Sequence, residues 1–217
     1  MLVDNNKIIA GFDALRNALG YCNKFEKITG KKAGIRGFES IYGEYLIASK
    51  LIDNGFTVTK FGKKGVDITA EYEGKQITIE VKTSRKTSRF GGKSKCGYGF
   101  VIKKSQWKNK EYDYLACVFA DRENSNIAIF PYEETKKRFT KCSFTRNNTG
   151  QREEDSLRLD VYDSLDDLMY NLDLAKKEIK FVGKPSDFEK KVNENENILY
   201  EKFSFEHFID KIKKVKQ

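Results

Sequence analysis

Apolar residues recur along this chain with two different periods, and the change of period separates its predicted elements. The spacing is helical from about Asn5 to Lys24 and again from about Phe38 to Asp53, where Asn54-Gly55 is a typical C-terminal stop signal. The period then shortens to two, which is typical of strands that bury one face. Glu73-Gly74 predicts the tight turn of a hairpin. The predicted strands are 56–61, 66–72, 75–82, 98–102, 114–120 and 126–131.

The second half of the chain has a less regular pattern. Short helices are predicted around Trp107 and over about 132–139, and residues 140–160 are interpreted as an irregular connection. Three helical patterns follow, and the first two begin with capping-box signatures at Ser164 and Ser186. The last helical pattern is formed by Phe205, Phe208, Ile209, Ile212 and Val215. We therefore expect helices to dominate the C-terminal part of the chain.

The composition fits a folded protein, since hydrophobic residues make up 39% of the chain and aromatic residues 13%. The sequence contains no run of about 18 apolar residues, which is the length needed to span a membrane. The N-terminus has no basic segment ahead of an apolar stretch, so we expect a cytoplasmic protein without membrane association.

The charge is distributed unevenly along the chain. The net charge is +9, but residues 151–217 carry 13 basic and 16 acidic residues, which leaves a surplus of 12 positive charges in residues 1–150. A surplus confined to one part of a chain indicates a polyanion partner for that part. On composition alone, a solvated lysine-rich surface explains the surplus equally well.

The cysteine and histidine content limits the chemistry that the chain can perform. Its four cysteines include no C-x-x-C pair, and His207 is the single histidine. We therefore expect no Cys/His zinc site and no Ser-His-Asp or Cys-His mechanism. Hydrolysis by this chain would have to use carboxylates, a lysine or a hard metal ion.

The third predicted strand carries the most informative pattern. Its apolar residues alternate with polar ones, so Glu80 and Lys82 are expected side by side on the face opposite the core. Pairing through the hairpin turn brings Asp67 of the preceding strand toward Glu80 on that polar face. An E-x-K triplet alone is most often a solvated strand face. Two carboxylates, Asp67 and Glu80, can however ligate a hard cation such as Mg²⁺, and an adjacent ammonium group can stabilise charge on a phosphate. The set predicts metal-assisted phosphodiester hydrolysis.

A further acid is expected from the second helix, which carries two candidates, Glu39 and Glu44. At about 100° per residue, Glu44 lies roughly 70° from the centre of the apolar stripe formed by positions 41, 45, 48 and 52, whereas Glu39 lies about 150° from it. An acid on the shoulder of the stripe can approach the sheet, and one on the far side cannot. Glu44 is therefore the preferred candidate.

The order Glu44, Asp67, Glu80-Val81-Lys82 resembles the PD-(D/E)XK nuclease superfamily. The stretch GEYLIASKLIDNGF…GVDITAEYEGKQITIEVKTS is similar to the core of restriction-endonuclease-like and archaeal Holliday-junction-resolvase-like enzymes, over about residues 37–131. The resemblance implies an α/β fold with a central mixed β-sheet flanked by helices, Mg²⁺ dependence and cleavage of DNA. One departure is Val66, which occupies the position of the motif's proline.

The resemblance also implies the roles of individual residues. Asp67 matches the first acid of the motif, Glu80 the second acid, Lys82 the lysine and Glu44 the acid of the first core helix. Some relatives place a polar residue near the site, and Gln106 is a minor candidate for that position. Around this core we expect additional N- and C-terminal helices. We expect an N-terminal helical extension over 1–36 and the nuclease core over 37–139. A mostly helical C-terminal extension, packed on the core, is expected over 140–217.

A basic segment follows the third strand directly. Between residues 83 and 97 the chain has five basic residues and three glycines but no acid. Alone, such a segment fits a solvated loop equally well, but beside a phosphodiester-cleaving site it favours contact with DNA. The candidate DNA-binding residues are Arg85, Lys86, Arg89, Lys93 and Lys95.

Together these observations predict a Mg²⁺-dependent DNA endonuclease, with Mn²⁺ as a substitute metal and no zinc or organic cofactor. The preferred form is a type II restriction endonuclease of a restriction system, acting on double-stranded DNA as a homodimer with one active site for each strand. Two alternatives stay open. One is a structure-specific repair or recombination nuclease of the junction-resolvase kind, and the other is a non-catalytic DNA-binding protein on the same fold.

Overall fold

The computed structural model of the protein describes residues 3–29, 36–62, 65–84, 98–108, 111–120, 126–142, 145–146, 152–153, 156–161 and 203–214. The helices in these ranges are α1 (Asn5–Thr29), α2 (Arg36–Asp53), α3 (Lys104–Lys108), α4 (Tyr132–Arg138) and α5 (Phe205–Lys214). The strands are β1 (Thr57–Phe61), β2 (Ile68–Tyr72), β3 (Lys75–Ser84), β4 (Tyr98–Ile102), β5 (Tyr114–Phe119), β6 (Asn126–Pro131), β7 (Thr140–Cys142), β8 (Thr145–Arg146), β9 (Arg152–Glu153) and β10 (Ser156–Val161).

A five-stranded mixed sheet with the order β1-β2-β3-β5-β6 forms the centre of the fold. Strands β3 and β5 are parallel, and the other neighbouring pairs are antiparallel. The predicted β2–β3 hairpin is confirmed, with Ile68 opposite Ile79 and Ala70 opposite Ile77. Its turn needs two residues with positive φ, which Glu73 (49°) and Gly74 (79°) provide.

One face of the sheet, called here the helical face, is covered by α1, α2 and α5. The apolar residues of β3 and of β2 point to this face and join a cluster that is mainly aliphatic, together with Leu51 of α2 and Ile209 of α5. Ile68 and Ile79 are fully buried in it. The strict alternation of β3 follows from this burial, because every second side chain must enter the apolar cluster.

The apolar stripe expected on α2 is partly wrong. Ile41 was placed in it, but its side chain is 45% exposed, whereas Ile47 and Leu51 are completely buried. The reason is that α1 packs on α2 from the other side, with the Phe12 and Tyr42 rings 5.7 Å apart. A helix between another helix and a sheet is buried on two sides, so its apolar residues do not form a single stripe.

The opposite face, called here the aromatic face, is covered by α3, α4 and a second sheet of order β4-β10-β7. Edge-to-face ring contacts are frequent in this layer. The Phe119 ring at the end of β5 lies 4.9 Å from the Tyr98 ring and 5.0 Å from the Phe100 ring. Helices and strands thus flank the mixed sheet on both faces, which confirms the predicted α/β class.

The irregular connection expected over 140–160 is wrong for the described residues of that range. Strand β10 pairs with β4, with Leu157 opposite Ile102 and Leu159 opposite Phe100, and its other edge pairs with β7. Both leucines are buried in the aromatic face. The sequence SLRLDV does alternate, but three apolar residues are too few to identify a strand without its partner.

The last predicted helix is confirmed as α5, which buries Phe205, Phe208, Ile209 and Ile212. The helices expected after Ser164 and Ser186 lie outside the described residues. Within the described ranges, no helix is both long and apolar enough to cross a membrane.

Candidate active site

Glu80 and Lys82 lie side by side on β3, on the aromatic face of the sheet. Their partners on β5 are Leu115 and Cys117, and both of these are completely buried. Glu80 is only 3% exposed, and Lys82 is 23% exposed. The Lys82 ammonium group donates a hydrogen bond to Glu80 Oε1. The predicted strand parity therefore produces a buried carboxylate that contacts a partly accessible ammonium group.

Asp67 lies immediately before β2 and faces the same part of β3. Its Oδ2 atom accepts a hydrogen bond of 2.7 Å from the backbone N–H of Val81, the residue between Glu80 and Lys82. This hydrogen bond could not be predicted from the sequence, because its donor is a backbone N–H group, which every residue except proline has. The neighbouring Val66 packs partly buried against the aromatic cluster, so an apolar residue fills the proline position.

Glu44 of α2 belongs electrostatically to the same group. The pKa of Glu44 is raised to about 7, mainly by burial and also by the charges of Asp67 and Glu80, while the charge of Lys82 lowers it. Charges act on a pKa in this way only when they lie close to the titrating group. The structure thus places Glu44, Asp67, Glu80 and Lys82 in one electrostatically coupled group.

Glu80 has its own perturbed acidity. Burial raises the pKa of Glu80 above its ordinary value, the charge of Lys82 lowers it, and the charge of Asp67 raises it. Three carboxyl groups therefore share this region with one ammonium group. A bound cation would offset the repulsion between the acids.

Gln106 of α3 is a further member of the group. Its Nε2 atom donates a hydrogen bond to Glu80 Oε1, and its Oε1 atom accepts one of 3.1 Å from the backbone N–H of Lys103. Both Gln106 and Lys82 therefore hold the same carboxylate oxygen of Glu80. Gln106, a minor candidate in the sequence analysis, therefore contacts Glu80 directly.

The fit of a divalent cation depends on the carboxylates. Across the described ranges, no group of three or more Asp, Glu, His or Cys side chains is arranged to hold a metal ion. Mg²⁺ does not need such a group, because it is commonly bound by one or two carboxylates, several waters and substrate phosphates. Asp67 and Glu80 have the oxygen donors of such a two-carboxylate site.

The five candidate DNA-binding residues, Arg85, Lys86, Arg89, Lys93 and Lys95, lie outside the described residues. Strand β3 ends at Ser84, only two residues after Lys82. The basic segment therefore begins next to the candidate active site along the chain.

No protein-family model matches the chain. Over 53 residues it is 49% identical to a UPF0102 protein of Phocaeicola vulgatus, a match that covers 23% of this chain and 43% of the relative, so the chain spans less than half of that relative's length. Among solved structures, the bacterial homing endonuclease I-Ssp6803I matches 68% of this chain and 98% of its own, with 12% identity and a TM-score of 0.42.

The fold is mixed α/β, with a central five-stranded sheet flanked by helices. Helix α2 packs against β3, and the acids Asp67 and Glu80 lie immediately before β2 and on β3. The architecture that the sequence resemblance implies, a central mixed sheet flanked by helices, is thereby confirmed.

Proposed function

We propose that this protein is a Mg²⁺-dependent endonuclease that hydrolyses phosphodiester bonds in double-stranded DNA. The observation that carries the proposal is the convergence of Glu44, Asp67, Glu80 and Lys82 at one place on the sheet. The central mixed sheet flanked by helices, which the sequence resemblance to nucleases implies, supports it as well. A merely solvated strand face would not bury Glu80 to 3% exposure beside two further acids.

Each residue has a proposed part in the reaction. Asp67 and Glu80 would hold the divalent cation, which supplies a polarised water and neutralises charge on the phosphate when it is bound. Lys82, oriented by its hydrogen bond to Glu80, would stabilise the negative charge that develops on a phosphate oxygen. Glu44, whose pKa is raised to about 7, would accept a proton near neutral pH.

The specific form that we propose is a type II restriction endonuclease that acts as a homodimer. The basic surplus of residues 1–150 includes the segment directly after β3, which supports contact with the DNA backbone near the site. Cleavage of both strands at a symmetric sequence requires two active sites, which a two-fold dimer would supply.

Cleavage assays test the function and its form together. The purified protein is incubated with unmodified plasmid and with synthetic four-way junctions, with Mg²⁺, with Mn²⁺ or with a chelator. Discrete plasmid fragments are expected with either metal and none with the chelator. Cleavage of junctions alone would replace restriction with the resolvase alternative. DNA binding without any cleavage would identify a non-catalytic DNA-binding protein.

A pair of matched variants tests the site. Asp67→Asn removes the charge of a proposed metal ligand, and we expect cleavage to fall by about 100-fold or more. Glu71→Gln removes an exposed carboxylate from β2, the strand that follows Asp67, and should cleave at the wild-type rate. Equal activity of the two variants would show that Asp67 is not a ligand.

A further inference from the structure

The helix α2 contacts strand β3 at Gly43. A Cβ atom at this position would lie 1.8 Å from Thr83 Oγ1 and 3.1 Å from Thr83 Cβ. Non-bonded carbon and oxygen atoms do not approach this closely, so any side chain here would force the helix and the strand apart. Gly43 is itself buried.

The two residues of this contact are direct neighbours of two site residues. Gly43 precedes Glu44, and Thr83 follows Lys82. The Thr83 Oγ1 atom is buried and has no hydrogen-bond partner in the described part of the chain. The contact between Gly43 and Thr83 is therefore one of shape, because no hydrogen bond within these ranges accounts for it.

The two glycines described in α1, Gly11 and Gly20, lack this property. Gly20 of α1 has no heavy atom within 4 Å of a Cβ position, and a Cβ at Gly11 would meet only the edge of the Tyr45 ring, at 2.4 Å. A ring on a flexible side chain can rotate away, whereas Thr83 belongs to a central strand. Glycine also weakens a helix relative to alanine, so a buried glycine in α2 needs a packing reason.

We propose that Gly43 is a positioning residue, which acts through its contact with Thr83 to hold Glu44 within reach of Asp67, Glu80 and Lys82. The inference rests on the proposed function and adds a residue that contacts neither metal nor DNA. The absence of a side chain at Gly43 lets α2 approach β3 one residue away from both Glu44 and Lys82. A larger residue would move Glu44 outward while leaving β3, and the residues on it, in place.

The test uses a cycle of variants in the full chain. Gly43→Ala introduces the overlap, and Gly43→Ala/Thr83→Ala removes the Oγ1 atom that causes most of it. Gly43→Ala/Thr83→Val keeps a methyl group where Oγ1 lies and should not relieve the overlap. Gly20→Ala is the matched control, because it makes the same change in an open helical position.

Cleavage of plasmid DNA with Mg²⁺ gives the first readout. We expect Gly43→Ala to lower kcat by about 10- to 100-fold with KM for DNA unchanged, because a displacement of about 1 Å at a reacting group has an effect of this size. The double variant with Thr83→Ala should recover most of kcat, the one with Thr83→Val should not, and Gly20→Ala should match the wild type.

Two outcomes would overturn the proposal. One is a folded Gly43→Ala protein with wild-type kcat, and the other is a folded Gly43→Ala/Thr83→Ala protein that stays as slow as Gly43→Ala. If Gly43→Ala alone does not fold, Gly43→Ala/Thr83→Ala gives the decision. A folded, active double variant supports the proposal, and one that is folded but slow overturns it.

Urea unfolding of the same variants gives a readout that does not depend on activity. The Thr83→Ala change should restore the stability lost in Gly43→Ala, and the Thr83→Val change should not. If the wild-type protein cleaves no DNA, the proposed function fails, and this stability cycle alone decides whether the contact sets the position of α2. If the effects of Gly43→Ala and Thr83→Ala on the free energy of unfolding were simply additive, the proposed contact would be overturned.

Discussion

The two faces of the central sheet are built from different side chains. Among the described buried residues, the helical face contains four aromatic residues out of twenty, whereas the aromatic face contains eight out of fourteen. The site residues of the sheet, Glu80 and Lys82, lie on the second face next to those rings, whereas Glu44 comes from α2, which covers the helical face. The mainly aliphatic face fixes the register of β3, and the aromatic layer on the other side excludes water from Glu80. The site therefore depends on both faces, but for different reasons.

The largest expected effect breaks the aromatic layer. Phe119→Ala removes a ring that contacts Tyr98 and Phe100 and is 1% exposed. We expect the free energy of unfolding to fall by about 3–5 kcal/mol, as measured by urea denaturation. Ile79→Val on the helical face is the comparison, with an expected loss of about 0.5–1.5 kcal/mol. Similar losses for the two variants would contradict the difference between the faces.

The second effect concerns the polar residues of the same face. Lys82→Met keeps most of the volume of the side chain but removes its charge, and we expect kcat for DNA cleavage to fall by about 100- to 1,000-fold. Lys75→Met, at the exposed start of the same strand, serves as the control and should keep wild-type activity. A fully active Lys82→Met protein would remove the lysine from the proposed mechanism.

A smaller effect sharpens the comparison through pH. The pKa of Glu44 is raised from 4.5 to about 7 in the folded protein, so folding favours the protonated form. The stability that this form contributes is present below about pH 4.5 and is lost as pH rises through about 7. Since Glu44 is partly exposed, we expect Glu44→Gln to be more stable than wild type by about 1–2 kcal/mol at pH 8 and equal to it near pH 4.

Unfolding curves at several pH values measure this difference. The exposed Glu71→Gln serves as the control for the loss of one negative charge. If the free energies of unfolding of Glu44→Gln and wild type differed by the same amount across pH 4–8, the pKa of Glu44 would not be raised by burial and by its acidic neighbours.

The smallest effect lies outside both faces. Gly20 of α1 is exposed and has no heavy atom near its Cβ position. Gly20→Ala should raise the free energy of unfolding by about 0.5–1 kcal/mol, because alanine favours the helix. A loss of stability instead would indicate that the outer side of α1 is covered by another part of the molecule.

Features that depend on neighbours along the chain could be predicted from the sequence, whereas features that depend on distant contacts could not. The parity of Glu80 and Lys82 could be predicted because the alternate residues of β3 are apolar and the turn to β2 is short. Strand β10 was missed because its partner β4 is distant in sequence, so its few apolar residues have no local context. The contact of Gly43 with Thr83 was missed for a similar reason, since a glycine gives no sign of what lies against it.

The turn at Glu73-Gly74 has a practical consequence. Both residues are exposed, and β3 runs from this turn to Lys82 over about 25 Å at the usual rise per residue. A fluorophore attached at Glu73→Cys would therefore lie well away from the candidate active site but within energy-transfer range of a labelled DNA end. Cys22, Cys96 and Cys142 would first have to be replaced, because the Cys22 thiol is only partly buried and the side chains of the other two are not among those described. Cys117 can stay, because it is buried and burial raises the pKa of its thiol.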